Sequence, residues 1–458
     1  MIDPGFLPDP LEGLDFMLEP AKPKPLVVDT PSGGTFFDEN LEFREPEGSR
    51  FTNDVLVCLA DIELRQRKRR ERDEANHRKI VGKILANGFR CFLYRDPAWV
   101  AYFRKAESYR DSPAWLSGKA ISRTVDLLTR ANLLQTQLGE YGRASTYQIT
   151  QTLYEIGRRH DIGDNSLTFR LPPEKLVRLR SKRPHRAEIN FAPSRETRKW
   201  IALLAAYNAF MAQQDITLGL SGAEEADWAT KLNAHGGNGS GMPFYRPERF
   251  QTDLYRQFNN GTFEEGGRLY GGWWINIPKA LRPRITINGL ETIELDFAGH
   301  AVRMLYNERG IDYRDDPYEI AAIAELERRK GLNPGHFRKS IKSMTQALIN
   351  DREGRYPERI QLPVGHRFSP HFKRRQVRDM IAEKHRAIAD AFGTGAGLRL
   401  QRADSDLALD IIVRLKDRGI AALPIHDSFI APIENKEQLE AEMKDSYNRK
   451  FLFDPIII

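Results

Sequence analysis

Cysteine is nearly absent from this chain: Cys58 and Cys91 are the only two among 458 residues. That excludes a disulfide framework and a cysteine-built zinc site, and it makes a reducing cytoplasm the expected compartment. No apolar run approaches the ~20 residues that a membrane span requires, so no membrane partner is expected. The opening Met1-Ile2-Asp3-Pro4-Gly5 lacks the basic and apolar regions of a secretory signal. The glycine-rich stretch Ala234-His235-Gly236-Gly237-Asn238-Gly239-Ser240-Gly241 is not followed by Gly-Lys-Ser/Thr. It is therefore not a phosphate-binding loop of the Walker type.

Positive charge is present but unevenly spread. The net charge is +7, modest for a length that accommodates two or three domains. Residues 1–60 start as a Pro-, Gly- and acid-rich segment without periodicity, expected to be an extended or disordered arm. The run Arg65-Gln66-Arg67-Lys68-Arg69-Arg70-Glu71-Arg72 opens a basic region that is expected to continue as helix. A solvated helix face and a phosphate track both account for such a run.

Within residues 61–165 the pattern reads as three helices and a hairpin. Ser117 caps a helical repeat running to about residue 131, and two strand-like runs, Leu133–Leu138 and Ala144–Thr150, flank Gly139-Glu140-Tyr141-Gly142-Arg143. This order resembles a winged helix. The resemblance implies a DNA-binding domain with Lys119, Arg123 and Arg130 on the groove-facing helix and Arg143 at the wing tip. A winged helix used as a protein–protein spacer fits the same pattern. Asp61-Ile62-Glu63, after the apolar Val55-Leu56-Val57-Cys58-Leu59-Ala60, resembles the first metal motif of proofreading exonucleases. The chain turns densely basic at once, leaving no room for the rest of that fold. Residues 166–255, with Arg178, Arg180, Lys182, Arg183 and Arg186, are expected to be a linking or thumb-like region.

Two short apolar runs carry the chemistry. Thr292-Ile293-Glu294-Leu295-Asp296-Phe297 and Ala421-Ala422-Leu423-Pro424-Ile425-His426-Asp427-Ser428-Phe429 each read as a buried strand with a carboxylate at its tip. A buried carboxylate is costly without a cation or hydrogen bonds. Two on neighbouring strands would suit hard divalent ions. Helix or turn capping is the plainer role for either alone.

The segments around them occur in a telling order. Gly267-Arg268-Leu269 precedes Trp273-Trp274-Ile275-Asn276-Ile277-Pro278, and Phe297-Ala298-Gly299-His300-Ala301-Val302-Arg303 follows Asp296. Next come Arg338, Lys342, Gln346 and Asn350 at steps of four, then Gln401-Arg402-Ala403-Asp404-Ser405-Asp406, then His426-Asp427. From about residue 250 to 435 this series resembles the polymerase module of family A DNA polymerases. Its closing His-Asp-Ser-Phe is closer to the related single-subunit phage RNA polymerases.

The resemblance implies an α+β fold: a mostly helical N-terminal region with the winged helix, then a family A-like palm with reduced fingers over residues 256–458. It implies a primer-extending nucleotidyltransferase with Mg2+ as cofactor (Mn2+ able to substitute), acting on a DNA template-primer with dNTPs and NTPs as candidate substrates. Asp296, the Phe297 carbonyl and Asp427 would hold the metal ions. Arg338 and Lys342 would grip the triphosphate, with Lys342 also protonating the leaving pyrophosphate. Arg268 and Gln401 would touch the minor-groove edge of the new pair, and His426 the primer terminus. Arg303 would be either a structural ion pair or a substrate contact.

Two departures, at Ala301 and on the fingers helix, alter the expectation, and a third, at Ser428, should not abolish catalysis. Ala301 stands where DNA polymerases of the family carry the glutamate that walls off a ribose 2′-hydroxyl, so relaxed sugar selection is expected unless His300 or Tyr306 closes the pocket. Gln346 and Asn350 replace the aromatic residues of the fingers helix. Ser428 stands where a glutamate often follows the second aspartate. An RNA-synthesising primase-like polymerase, and a DNA-binding replication initiator or regulator with an inactive palm, are the alternatives.

Overall fold

The computed structural model describes residues 35–458 apart from 64–66, 96–97, 110–111, 141–142, 164, 183–184, 235–246, 353–361, 363–366 and 369–370. Residues 1–34 of the expected arm, Arg65 and Gln66, Tyr141 and Gly142, Arg183 and the glycine-rich loop from His235 onward therefore lie outside the described residues. The fold is α+β and divides into two compact units, one built from residues up to 172 with 247–252, the other from 173–234 with 253–458. No helix among the described residues is long and apolar enough to cross a membrane.

The first unit contains β1 (Thr35–Phe36), β2 (Leu41–Phe43), α1 (Glu47–Ala60), α2 (Glu71–Tyr94), β3 (Val100–Tyr102), α3 (Gly118–Arg130), β4 (Leu134–Gln137), β5 (Ser145–Ile149), α4 (Gln151–Arg159) and β6 (Leu167–Phe169). Residues 35–60 are thus not an extended arm. Leu41, Phe43, Phe51, Val55 and Leu59 are buried, and Phe43, Phe51 and Phe89 meet edge-to-face with centroids 5.4–5.8 Å apart. Each such burial contributes roughly 1.5–3 kcal/mol, which outweighs the turn-forming bias of the flanking Pro, Gly and acidic residues. Val55–Ala60 belongs to α1, so Asp61 follows a helix and not the strand that an exonuclease motif needs.

Between α2 and α3 lie a strand and a short 3-10 turn, where a further helix was expected. Ser117 caps α3 by accepting from the Ala120 N–H at 3.2 Å. Ile121, Val125 and Leu128 face the core, while Lys119, Arg123, Asp126 and Arg130 form one exposed stripe. β4 and β5 pair as an antiparallel hairpin in the sheet order β1–β3–β5–β4. β6 pairs with β2, which extends this unit past the expected boundary at 165. Glu248 returns to it through a bidentate pair with Arg90, both bonds 2.8 Å.

The second unit contains β7 (Val177–Arg180), β8 (Glu188–Ile189), α5 (Arg195–Met211), β9 (Ile216–Leu218), α6 (Gly222–Ala234), β10 (Tyr255–Phe258), β11 (Gly266–Tyr270), β12 (Ile285–Ile287), β13 (Leu290–Asp296), α7 (His300–Asn307), α8 (Ala321–Arg329), α9 (Arg338–Asn350), α10 (Arg374–Lys384), α11 (Ala396–Asp417), β14 (Leu423–Ile425), β15 (Ser428–Pro432) and α12 (Lys436–Phe451). Two sheets organise it, ordered β14–β15–β13–β12–β9 and β11–β10–β7–β8. β9 completes the first sheet, and β7 pairs in parallel with β10 in the second. The expected linking region at 166–255 is therefore no separate subdomain: β6 pairs with β2 in the first unit, and the strands from β7 onward are members of the sheets that carry the aspartates and Arg268.

Where α11 meets β11, a cation is fully buried. Arg256 donates from Nε to the Gly267 carbonyl at 2.9 Å and pairs with Asp406 at 3.0 Å, its guanidinium lying over Trp200 and Phe258. Burial lowers its pKa to about 10 despite Asp406. Asp406, from the Gln401–Asp406 motif, is thus a packing counter-ion. Removing it leaves the guanidinium buried without its carboxylate, a loss of roughly 3–5 kcal/mol in comparable cases. Asp406→Ala is expected to lower the urea midpoint accordingly, and adding Arg256→Met should recover part of the loss. An unchanged midpoint in Asp406→Ala would refute this account.

Candidate active site

The two strand-tip aspartates are brought together by backbone pairing. β13 and β15 run antiparallel in the register Leu295↔Phe429 and Asp296↔Ser428, and the Phe297 N–H donates to the Asp427 carbonyl at 3.2 Å. Asp427 sits in the two-residue turn between β14 and β15, closed by the Ile425↔Ser428 pair. His426 opens that turn with φ +57°, a left-handed conformation that non-glycine residues adopt at a cost. β14 is held from behind, where Trp274 Nε1 donates to the Pro424 carbonyl at 3.2 Å and Tyr207 to the Ala422 carbonyl at 2.8 Å.

Alternation along β13 places Thr292, Glu294 and Asp296 on one face. Glu294 is a third carboxylate near the pair, but Arg282 holds it at 2.8 Å and Ser428 Oγ donates to it at 2.7 Å. Asp296 has no such partner, and its buried Oδ1 accepts no hydrogen bond. Burial, then the charge of Asp427, push the Asp296 carboxyl up to about 7, against the pull of Lys342, His300 and Lys279. A buried acceptor without a donor, beside a second acid, fits an oxygen-coordinated cation. Among the described residues there is no cluster of three or more acid, His or Cys ligands, so substrate oxygens or water would have to complete a coordination shell.

A charged network that the sequence did not reveal lies next to the pair. His300 Nε2 is 3.1 Å from Asp404 Oδ1, both side chains buried, and Arg268 Nε is 4.0 Å from Asp404 Oδ2. Burial opposes a charge on His300, but Asp404, Asp427 and Asp296 outweigh it and raise the His300 pKa. Burial likewise opposes charge on Asp404, yet His300, Arg268 and His426 hold its carboxyl below the usual range. His300 also stacks on Phe297 at 4.8 Å. Gln401, on α11 one turn before Ser405, is buried.

Arg338 and Lys342 are exposed on one face of α9, with Gln346 and Asn350 half-buried below them. Arg338 is already engaged, donating to both carboxylate oxygens of Asp316 at 2.7 and 3.0 Å over the Tyr318 ring. Gln346 reaches the buried Tyr318 hydroxyl at 3.4 Å. Asn350 donates to the Gln346 carbonyl, and a side chain at Gly397 would collide with it, so α9 and α11 touch there. Gly299 (φ +58°) turns the chain from Asp296 into α7, where any Cβ would meet Arg303 and Pro317. Arg303 is structural, donating to the carbonyls of Ala298 at 2.6 Å and Asp315 at 2.9 Å. Ala301 lies half-buried in the first turn of α7. Tyr306 is stacked on Tyr313 with its hydroxyl 3.1 Å from His385 Nδ1.

Lys119, Arg123, Arg130 and Arg143 are exposed in the first unit, and Asp126, between the first three, is bound by Arg104 at 3.1 Å. A cavity of about 850 Å³ in the second unit is lined by Arg309, Arg352 and Arg399, each paired with its own acid, and by none of the residues above. No protein-family model and no curated protein matches the chain.

The raised Asp296 pKa has a stability consequence. The folded chain retains a proton between an unfolded pKa of ~4 and a folded one of about 7. Its contribution is full below the first value and is lost as pH rises through the second. In chelator, the stability gap between wild type and Asp296→Asn should therefore shift across pH 4–7, with wild type losing ground. A pH-independent gap would contradict it.

Proposed function

We propose that this protein is a template-directed nucleotidyltransferase that extends a primer on a DNA template by two-metal phosphoryl transfer. The observation that carries the reading is the Asp296–Asp427 pair, set in register by β13 and β15, with an unpartnered buried oxygen. Asp296, Asp427 and the Phe297 carbonyl would hold Mg2+ or Mn2+. Such ions, when bound, acidify a primer 3′-hydroxyl and spread the charge of the in-line displacement.

The chain's own residues supply the rest. Lys342, whose charge bears on Asp296, would hold the triphosphate and give a proton to the departing pyrophosphate. Arg338 offers a planar fork of the kind that binds phosphate bidentately. Arg268 on β11, 4.0 Å from Asp404, would contact the base pair. Gln401 lies on the same helix as Asp404, and His426 lies at the turn where the primer end would sit. The first unit supports a winged-helix-like role in duplex binding, through the basic stripe of α3 and Arg143 near the tip of the β4–β5 hairpin.

Asp296→Asn and Asp427→Asn are each expected to abolish incorporation while leaving duplex affinity largely intact, since charge neutralisation at the metal site, and not grip on DNA, is lost. Single-nucleotide extension and fluorescence anisotropy read the two quantities. Full extension by either variant would sink the assignment.

Ribonucleotide use follows from Ala301. Tyr306 is tied to His385 and Tyr313, and His300 to Asp404, so neither expected substitute is free to replace the missing glutamate. A pocket that merely tolerates a hydroxyl discriminates by about 1–2 kcal/mol. Extension with ATP and dATP on matched templates should differ modestly, and Ala301→Glu should suppress ATP use selectively. A dATP preference above about a thousandfold, ~4 kcal/mol, would show that another side chain closes the pocket.

A further inference from the structure

The β8–β7–β10–β11 sheet has two unlike faces. Val177, Leu179, Arg256, Phe258 and Leu269 point inward and are buried. Strand alternation and register put Arg178, Arg180, Tyr255, Gln257, Arg268 and Tyr270 on the opposite face, all half-buried.

Three of these form a continuous row. The Arg178 guanidinium lies 3.7 Å from the centre of the Tyr255 ring, and Tyr255 stacks on Tyr270 at 5.9 Å. Tyr270 then meets His426 edge-on at 6.5 Å. The row thus ends at the turn that carries Asp427. Arg180 extends the cationic side, donating to Gln257 at 2.7 Å. The one acid in register with it, Glu188, is taken by Lys175 at 3.1 Å.

Adjacent rings flanked by guanidinium groups on a half-buried sheet face make a stacking platform for bases beside charge for phosphates. We propose that this face is a nucleic-acid track, and that it takes the strand being extended, with its terminus at His426 and its upstream nucleotides over Tyr270, Tyr255 and Arg178. The identity of the strand rests on the polymerase reading; binding of nucleic acid by the face does not. Strands lie ~4.8 Å apart, so three of them and the turn span on the order of 15 Å, about four nucleotides.

The test uses the full chain and a labelled primer–template, with Kd measured by anisotropy at several salt concentrations. Tyr255→Ala should weaken binding about tenfold, and Tyr255→Phe, which keeps the ring, should match wild type. Arg178→Ala should weaken binding and flatten the salt dependence. The Tyr255→Ala penalty should vanish when the primer is cut to two nucleotides on an unchanged template. Equal affinity of Tyr255→Ala, Arg178→Ala and wild type overturns the track, as does a Tyr255→Ala penalty independent of primer length, or no binding by wild type. Circular dichroism separates misfolding, and if Tyr255→Ala fails to fold, Arg178→Ala decides. Loss of affinity in these variants of a chain that never incorporates a nucleotide would retain the track and refute the polymerase reading. Incorporation with affinity unmoved would do the reverse.

Discussion

Two carboxylates held at adjacent strand ends repel each other, and much of the second unit is arranged around that repulsion. Asp296 and Asp427 cannot separate, because the β13–β15 ladder fixes one and the two-residue turn after β14 fixes the other. Neither sheet strength nor apolar burial requires acids there. The surroundings bring compensation: Lys342 from α9, His300 from α7 and Lys279 after the Asn276-Ile277-Pro278 segment all bear on Asp296. Two further acids close by are each held by cations, Glu294 by Arg282 and Asp404 by His300. What is left over is a single buried oxygen without a donor, which is where the compensation falls short of complete.

Position in the fold explains why these neighbours are available. The left-handed His426 lets β14 reverse into β15 within two residues, so Asp427 lies level with the end of β13. Gly299 does the same for the other strand, turning Asp296 into α7 so that His300 enters beneath the pair. Trp274 pins the Pro424 carbonyl of β14, and Tyr207 the Ala422 carbonyl just before it. The strain of a non-glycine left-handed residue, of order 1–3 kcal/mol, is therefore offset by hydrogen bonds on the strand that leads into it.

The sequence was most legible where chemistry is local. The strand tips at Asp296 and Asp427, the α9 face with Arg338 and Lys342, and the Ser117-capped helix with its following hairpin all sit where periodicity and capping put them. Long-range pairing was not legible. Nothing in Asp404 or Asp316 marks them as the partners of His300 and Arg338, because each contact joins elements far apart in the chain. The 35–60 segment misled through composition, since Pro, Gly and acidic residues occupy its turns while Phe43, Phe51 and Leu59 reach the core. The 166–255 region misled through order: β7 joins β10 and β9 joins β12 across long separations in sequence, so they resemble a linker until the ladders are seen.

The Arg338–Asp316 pair connects the site to nucleotide binding on the polymerase reading. Arg338 is expected to hold a triphosphate, yet its two donors already point at a carboxylate in the planar, bidentate geometry that phosphate would use. Asp316 is half-exposed and also accepts from the Tyr318 N–H at 2.9 Å, so it is anchored locally whether or not Arg338 stays. A triphosphate reaching α9 would therefore exchange one anion for another. Such an exchange returns less than binding to an unengaged guanidinium, because the pair must be broken first. The same pair keeps the guanidinium fork ordered over Tyr318, so the conformational cost of positioning Arg338 is met before a nucleotide arrives.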